Sequence, residues 1–164
     1  MKNELVREWM TADVITVTPD TTLPEADRLI VDNMIRRLPV VKNGKLVGIC
    51  TYGDIREARP SPATSLSIWE LNYLLSQLTI GEIMTTNSIT ISPEATIGEA
   101  ARLMLKNQIS GLPVVDLHNH LVGIITESDI FRMVVQQWEN VEEDVAEPYV
   151  RYRYWGEGLV GQCA

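Results

Sequence analysis

The chain has 164 residues, of which 45% are apolar and 22% charged, a composition typical of a soluble globular protein with a core to bury. Its formal net charge of -8 argues against a general binder of nucleic acid or anionic membranes, because phosphate groups require a basic surface. A small anionic ligand needs only one local basic pocket. No apolar run reaches the length of a membrane span and no signal-peptide core is present, so we expect a cytoplasmic protein.

The chain contains two copies of one unit, related by an offset of 74 residues that becomes 75 after a longer turn in the second copy. Self-similarity of this kind indicates a repeated supersecondary unit rather than two unrelated segments. The matching segments are 9–11 with 83–85, 14–19 with 88–93, 38–41 with 112–115, and 46–51 with 121–126.

The first half of each copy predicts a short strand and then a helix. The strand is a β-branched run, Ile15–Val17 or Ile89–Ile91, closed by a proline. Thr22 or Thr96 then caps the helix, and a glutamate three residues later completes a capping box. The apolar stripe predicted to be buried is Ala26, Leu29 and Ile30 in the first copy, and Ala100, Leu103 and Met104 in the second.

The second half of each copy predicts a β-hairpin followed by a helix. In the first copy, strands over 38–41 and 46–51 flank an Asn43-Gly44 turn, and a helix starts near Asp54. The second copy repeats this order around a longer turn at 116–120. The order strand, helix, strand, strand, helix defines an α+β unit.

One such unit is too small to bury its sheet face, so we expect two tandem units packed sheet to sheet with approximate two-fold symmetry. Clefts between the copies are then natural ligand sites. The predicted domains are repeat 1 over residues 5–59, a linker with a helix over 60–78, repeat 2 over 79–136, and an acidic and aromatic tail over 137–164.

Both copies carry a Gly-x-x-Thr-x-x-Asp signature, which crosses from a strand end into a helix start. Backbone N–H groups at such a point are unpaired and favour anions. The hydroxyls of Thr51 and Thr126 can bond a phosphate or sugar oxygen, and the carboxylates of Asp54 and Asp129 can accept from vicinal ribose hydroxyls. The alternative is that these residues are merely helix caps.

At these residues the chain resembles the cystathionine-β-synthase (CBS) domain family, as a tandem pair. The Leu-Pro-Val-Val strand and the Gly-x-x-Thr-x-x-Asp segment together carry the resemblance, and the linker over 60–75 is similar to the bacterial acetoin-utilisation-type branch. The resemblance implies a regulatory module that binds adenosine nucleotides, namely AMP, ADP or ATP, with no required cofactor. It also implies a homodimer that forms a four-unit disc.

The resemblance further implies roles for particular positions. Asp54 and Asp129 hold ribose, and Thr51 and Thr126 lie beside the phosphate or ribose. The strand before the hairpin reads the adenine edge, and the first segment of a repeat closes the pocket. These positions are Ile35, Arg36 and Pro39 with Met10 and Ala12, and Ile109, Ser110 and Pro113 with Met84 and Thr86.

Arg36 and Arg37 break the symmetry of the repeat, because the matching positions hold Ser and Gly. A guanidinium suits phosphate geometry, and members of the family often place a basic residue here. We therefore expect two non-equivalent clefts. The cleft of Asp54, with wall residues of the second repeat, is the candidate for a charged nucleotide. The cleft of Asp129 takes a less charged ligand or none. The alternative for both arginines is solvated surface charge.

The segments outside the repeats give weaker expectations. Ser67 and Glu70 form a capping box for a linker helix that covers the pair or its dimer interface. Its apolar stripe is Leu71, Leu74, Leu75 and Leu78, with Trp69. The Arg-Tyr stretch at 149–155 is compatible with an added edge strand, a swapped arm or a partner-docking strand.

The histidines and cysteines of the sequence do not predict a catalytic or metal centre. His118 and His120 belong to a turn that we expect to be solvated, with no metal site. Cys50 stands in an apolar strand pattern and is predicted to be a core residue, and Cys163 a free thiol.

The preferred hypothesis is an adenosine-nucleotide sensor that regulates an unknown protein. One alternative is a ligand-free scaffold for dimerisation or interaction, and another is a sensor of an S-adenosylmethionine-type ligand. We expect no enzyme, because the sequence offers no nucleophile–base pair, metal cluster or catalytic phosphate loop. We expect no nucleic-acid partner either.

Overall fold

The computed structural model describes residues 4–59 and 67–139. Two repeats of helix, hairpin and helix are visible, as expected, and each is preceded by one short helix. The helices are α1 (Val6–Trp9), α2 (Leu23–Asn33), α3 (Tyr52–Glu57), α4 (Ile68–Gln77), α5 (Ile80–Ile83), α6 (Ile97–Asn107) and α7 (Glu127–Glu139). The strands are β1 (Arg37–Lys42), β2 (Lys45–Thr51), β3 (Thr85–Thr86), β4 (Gly111–Val115) and β5 (Leu121–Thr126).

Both predicted hairpins are present. β1 pairs antiparallel with β2, and β4 pairs antiparallel with β5. The turn of the first hairpin places Asn43 at φ 53° and Gly44 at φ 75°, the positive values that a two-residue turn needs to match the strand twist. Both hairpins carry a register shift at the same point of the repeat, between Val40 and Val41 and between the matching residues of β4.

The strands predicted at the start of each copy shrink to single bridges. Val17 pairs in parallel with Val40, and Ile91 with Val114. The pairing ends there because the following proline has no N–H to donate. In the first copy the chain turns directly after this bridge, and the N–H of Thr21 donates to the carbonyl of Thr18.

The helix starts follow the prediction in one copy. In α6 the N–H of Glu99 donates to Thr96 Oγ1 at 3.2 Å, and the N–H of Thr96 donates to Glu99 Oε2 at 2.8 Å, which completes the capping box. In α2 the box is not formed, and Thr22 makes no side-chain cap bond. Pro24 lies in the first turn there and fixes its φ in helical geometry.

The two repeats exchange their first segments. The N–H of Val6 donates to the carbonyl of Ala95 at 2.8 Å, so α1 joins the second repeat. The N–H of Ile80 donates in the same way to Thr21 at 2.8 Å, so α5 joins the first repeat. The short strand β3 then pairs with β2, and Thr11 bridges to Ile124.

Two hydrophobic cores result, and each includes a residue from the other repeat's first segment. Val6 lies in the second core and Ile80 in the first, both fully buried. The predicted helix stripes line these cores. The other buried members of the first core are Val17, Leu23, Ala26, Ile30, Leu38, Val40, Cys50 and Ile55, and those of the second are Ile91, Ile97, Ala100, Met104, Leu112, Val114 and Ile125. Neither core is complete without the exchange.

Gly48 and Gly123, the first residues of the two signatures, lie where the exchanged segments cross the sheets. A Cβ at Gly48 would lie 2.8 Å from the carbonyl oxygen of Thr85 and 2.8 Å from Met84 Sδ. A Cβ at Gly123 would lie 2.5 Å from Met10 Sδ and 3.0 Å from the carbonyl oxygen of Thr11. Each glycine is therefore required for close approach of the other repeat's backbone.

The linker helix α4 begins at the predicted capping box, in which Ser67 accepts from the N–H of Glu70. Leu75 and Leu78 pack against the first core, which confirms part of the predicted cover. Trp69 and Leu74 do not take part, because their faces of the helix point away from the core and they are 81% and 51% exposed. The linker segment 60–66 and the tail from residue 140, including Cys163, lie outside the described residues.

Within the described residues, no helix combines the length and the apolar character needed to cross a lipid bilayer.

We predict that Gly48→Ala destabilises the fold by about 1–3 kcal/mol, because its methyl group would press on the backbone carbonyl of Thr85. Urea unfolding followed by circular dichroism measures the change. Gly98→Ala is the matched control, since a Cβ there would lie 3.9 Å from its nearest neighbour and alanine favours the helix. Equal stability of Gly48→Ala and the wild type would contradict the crossing described here.

Candidate ligand clefts between the repeats

In each signature the Asp carboxylate accepts two hydrogen bonds from the Thr that precedes the helix, and in the first signature the Asp54 N–H also donates to Thr51 Oγ1 at 3.3 Å, which completes a capping box. The N–H of Thr51 donates to Asp54 Oδ2 at 2.6 Å, and the Thr51 hydroxyl donates to the same oxygen at 2.8 Å. Thr126 and Asp129 repeat both bonds at 2.8 and 2.7 Å. The capping interpretation is thus correct for one carboxylate oxygen in each copy. A role in ligand binding then rests with the other oxygen, Oδ1.

The two Oδ1 atoms differ in their surroundings. Asp129 Oδ1 accepts from Arg132 Nη1 at 3.2 Å, and the residue is 4% exposed. Asp54 Oδ1 accepts no hydrogen bond from the described residues, and its side chain is half-buried. The first signature therefore offers a charged acceptor to a ligand, whereas the second offers one that an arginine already shares.

A cavity of about 600 Å³ lies beside Asp54, between the repeats. This volume is within the usual range for small-molecule sites. The cavity brings together seven of the residues that the sequence singled out: Arg36, Arg37, Thr51, Asp54, Ile109, Ser110 and Pro113. Residues of both repeats are present because the exchanged segment of the second repeat forms one wall.

That wall presents different residues from those expected. Thr85 and Asn87 line the cavity, whereas the predicted Met84 and Thr86 do not. Met84 instead packs over Gly48 and against the first core. Alternate residues of an extended segment point to opposite faces, so Thr85 and Asn87 line the cavity whereas Met84 and Thr86 do not. This orientation could have been inferred from Met84, because its apolar side chain favours the core and residues 85 and 87 then alternate with it.

A second cavity of about 360 Å³ lies beside Asp129. Of the predicted residues, it collects Ile35, Arg36, Arg37, Thr126 and Asp129. The predicted Met10, Ala12 and Pro39 lie elsewhere: Met10 packs against the second core and Pro39 is fully buried. Thr11 and Asp13 take their places at the wall, by the same alternation as in the first cavity.

Two charged residues of the second cavity were not among the predicted site residues. Asp13 lies where the first cavity has Asn87, and Arg132 lies at the position that matches Glu57. A comparison of charges at matched positions of the two copies would have found both. Asp13 places a second carboxylate beside Asp129, which makes this cavity less favourable to a phosphate.

Arg37 lies at the centre of the site and lines both cavities. Its guanidinium donates to the hydroxyl of Ser110, across the boundary between the repeats. Burial, and next the charge of Arg36, lower the pKa of Arg37, and Glu127 acts in the opposite direction. Arg36 itself is exposed, as a solvated surface charge would be.

Among the described residues, Cys50, His118 and His120 line neither cavity. Cys50 is fully buried in the first core, and burial, followed by the charge of Asp54, raises the pKa of its thiol to about 12. His120 Nδ1 lies 3.1 Å from Asp116 Oδ2 in an exposed turn. Within the described residues, no group of three or more His, Cys, Asp or Glu side chains could hold a metal ion.

Comparison with known proteins adds an independent finding. The family model of the CBS domain matches residues 6–61 and 80–136. A CBS domain-containing protein of Dictyostelium discoideum is 36% identical over 138 residues, covering 84% of this chain and 95% of that protein. Protein MJ1225 of Methanocaldococcus jannaschii is 35% identical over 138 residues. The match covers 80% of this chain and 47% of the length of MJ1225. An inosine-5'-monophosphate dehydrogenase of Korarchaeum cryptofilum is 37% identical over 73% of this chain, which spans 22% of its length.

Solved structures agree with these matches. The CBS domain pair of MJ0100, in complex with 5'-methylthioadenosine and S-adenosyl-L-methionine, superposes with a TM-score of 0.67 at 35% identity, covering 81% of this chain and 97% of that one. CBSX2, a CBS-pair protein of Arabidopsis thaliana, in complex with AMP superposes with a TM-score of 0.68 at 28% identity, covering 82% of this chain and 98% of that one. A protein of Vibrio cholerae described as an acetoin utilization protein (AcuB) gives 0.68 at 32% identity, with 84% and 97% covered.

Proposed function

Because this chain belongs to the CBS domain family and carries two tandem copies of the domain, we propose that it senses adenosine nucleotides in the clefts between the copies. The observation that carries the proposal is the 600 Å³ cavity in which Thr51, Asp54 and Arg37 meet. Two proteins of the same fold support it, since CBSX2 binds AMP and the MJ0100 pair binds two adenosyl compounds.

The lining of the Asp54 cavity suits the three parts of a nucleotide. Asp54 Oδ1 is free to accept from the ribose hydroxyls, and the guanidinium of Arg37 provides paired donors for a phosphate. The apolar side chains of Ile49, Ile89 and Ile109 offer contact area for the adenine ring. All three chemical requirements are met within one cavity.

Local charge favours a phosphate in this cavity despite the formal net charge of -8. Among the described residues, Arg36 and Arg37 line it together with one carboxylate, that of Asp54. A ligand that carries negative charge gains from such a site, whereas S-adenosylmethionine carries a positive sulfonium centre. We therefore favour AMP, ADP or ATP over an adenosyl ligand without phosphate in the Asp54 cleft.

The proposed role is regulatory and not catalytic. Ligand binding between the repeats would change their packing, and a partner protein would respond to that change. The proposal places the protein in the cytoplasm, where adenosine nucleotides are made and used. A ligand-free scaffold is the competing function, and nucleotide binding distinguishes the two.

We further propose that two copies form a homodimer through α7. Phe131 and Trp138 are seven residues apart, hence on one face of this helix, and are 65% and 83% exposed. Large apolar side chains exposed on one helix face mark an interaction surface. A second copy can cover this face with its own α7, as the symmetry of a two-fold interface requires.

Substitution of Asp54 by Ala is expected to weaken AMP binding by about 1.5–3 kcal/mol, because a charge-assisted acceptor for ribose is lost. Isothermal titration calorimetry measures the affinity, and thermal unfolding verifies that the variant is folded. Asp54→Asn separates the ribose role from the helix cap, because its amide oxygen can still accept from Thr51 at the Oδ2 position, whereas the amide NH2 at the Oδ1 position cannot accept from ribose. Asp32→Ala, an exposed carboxylate of α2, is the control.

Two results would count against this proposal. If the folded Asp54→Ala protein binds AMP as tightly as the wild type, the ribose role of Asp54 is wrong. If the wild-type protein binds none of AMP, ADP and ATP at millimolar concentration, the sensor function is wrong and the scaffold is favoured.

Replacement of Phe131 and Trp138 together by Ser is expected to turn the dimer into a monomer, because the apolar area that the second copy would cover is removed. Light scattering coupled to size-exclusion chromatography measures the mass. Leu117→Ser is the control, since Leu117 is 100% exposed in a turn that is not part of α7. A wild-type chain that elutes as a monomer, or a double variant that stays dimeric, would contradict the α7 interface.

A further inference from the structure

Arg37 occupies a position that the repeat symmetry allows for one side chain only. By the 74-residue offset it is the counterpart of Gly111, and each is the first residue of its hairpin strand. A Cβ at Gly111 would lie 3.0 Å from Arg37 Nε and 3.2 Å from its Cδ. The arginine therefore fills the space that its counterpart leaves empty, on the boundary between the repeats.

The same boundary separates the two clefts. Among the residues that line the described cavities, Arg36 and Arg37 alone are common to both. Arg36 is exposed and so is screened by solvent, whereas Arg37 is half-buried. One partly desolvated guanidinium is thus available to two sites. In its present position it donates to Ser110, which belongs to the wall of the Asp54 cleft.

The surroundings of Arg37 leave its charge without a tight carboxylate partner. Among the described residues it makes no salt bridge within 4.0 Å, whereas Arg132 pairs with Asp129 at 3.2 Å. Its pKa is lowered mainly by burial, which means that the charged form would gain from an anion brought close to it. A phosphate in either cleft is such an anion.

We propose that Arg37 couples the two clefts, so that a phosphate bound in one weakens the binding of a second phosphate-bearing ligand in the other. The inference rests on the proposed nucleotide function and adds its stoichiometry: one phosphate-bearing ligand for each chain, with the Asp54 cleft preferred. A ligand without phosphate does not compete for the guanidinium and enters the Asp129 cleft unhindered. Coupling of this kind is reciprocal by thermodynamic necessity.

The test is a linkage cycle measured by isothermal titration calorimetry with AMP. Asp54→Ala leaves the Asp129 cleft to bind alone, and Asp129→Ala leaves the Asp54 cleft alone. We expect the overall constant for two AMP molecules on the wild type to fall below the product of the two single-cleft constants by about 5–150-fold. With adenosine, which has no phosphate, the two quantities should agree.

Arg37 variants assign the coupling to its side chain. In Arg37→Ala the overall constant for AMP should equal the product of the single-cleft constants, measured in the same background. Arg37→Gln retains a hydrogen-bond donor toward Ser110 and serves if the alanine variant fails to fold. The control is Arg28→Ala, because Arg28 is exposed on α2 and lines neither cavity. This variant should show the same reduction of the overall AMP constant as the wild type.

Each outcome decides between the two proposals. The coupling is overturned if the wild type binds two AMP molecules with an overall constant equal to the product of the single-cleft constants. It is also overturned if the reduction of the overall constant persists in the Arg37 variants. In both cases the sensor function stands. Failure of Asp54→Ala to bind AMP while the wild type binds one molecule also overturns it, because the Asp129 cleft then has no phosphate to compete with. Failure of the wild type to bind any nucleotide overturns both proposals.

Discussion

The exchange of first segments between the repeats is the contact on which the rest of this structure depends. Gly48 and Gly123 permit it, because the backbone of the other repeat passes over each of them at a distance that leaves no room for a side chain. Val6 and Ile80 then complete cores to which they are not adjacent in sequence. The pair is consequently one folding unit, and the clefts between its halves have walls from both.

Function enters where the two copies stop being equivalent. The exchange would generate two equal clefts in a perfect repeat, but the substitutions of Arg37 for glycine and of Asp13 for asparagine are located at the cleft walls. The first concentrates positive charge on one boundary, and the second adds a carboxylate to one side only. Arg132 extends the difference by pairing with Asp129. Duplication thus provides the geometry, and three local changes separate the roles of the clefts.

Local signals were sufficient to predict the hairpins, the main helices and the signature residues. The Asn43-Gly44 turn and the Thr96 capping box are decided by contacts within a few residues, so propensity and pattern identify them. The pairing of the copies was expected because one unit is too small to bury its sheet face, and the resemblance to the CBS family agreed with it. In that respect the fold class and most of the Asp54 cleft could be predicted before any coordinates.

The errors lie where tertiary contacts decide. The short strand predicted to end at Val17 pairs through one residue only, and the wall of the Asp54 cleft presents Thr85 in place of Met84 and Thr86. In each case a residue's orientation depends on a segment from the other repeat. Trp69 is a further example. The spacing of apolar residues in α4 predicts an apolar face, but it does not predict which side of that face contacts the first core. Sequence periodicity defines a face but not its partner.

The central claim, that these asymmetric clefts hold adenosine nucleotides, is tested most directly by native mass spectrometry. The purified chain would be incubated with an equimolar mixture of AMP, ADP, ATP and S-adenosylmethionine. The account predicts that each chain retains one phosphate-bearing nucleotide, and that the Asp54→Ala variant retains less of it than the wild type. Retention of S-adenosylmethionine alone, or of no adenosyl compound, would contradict it.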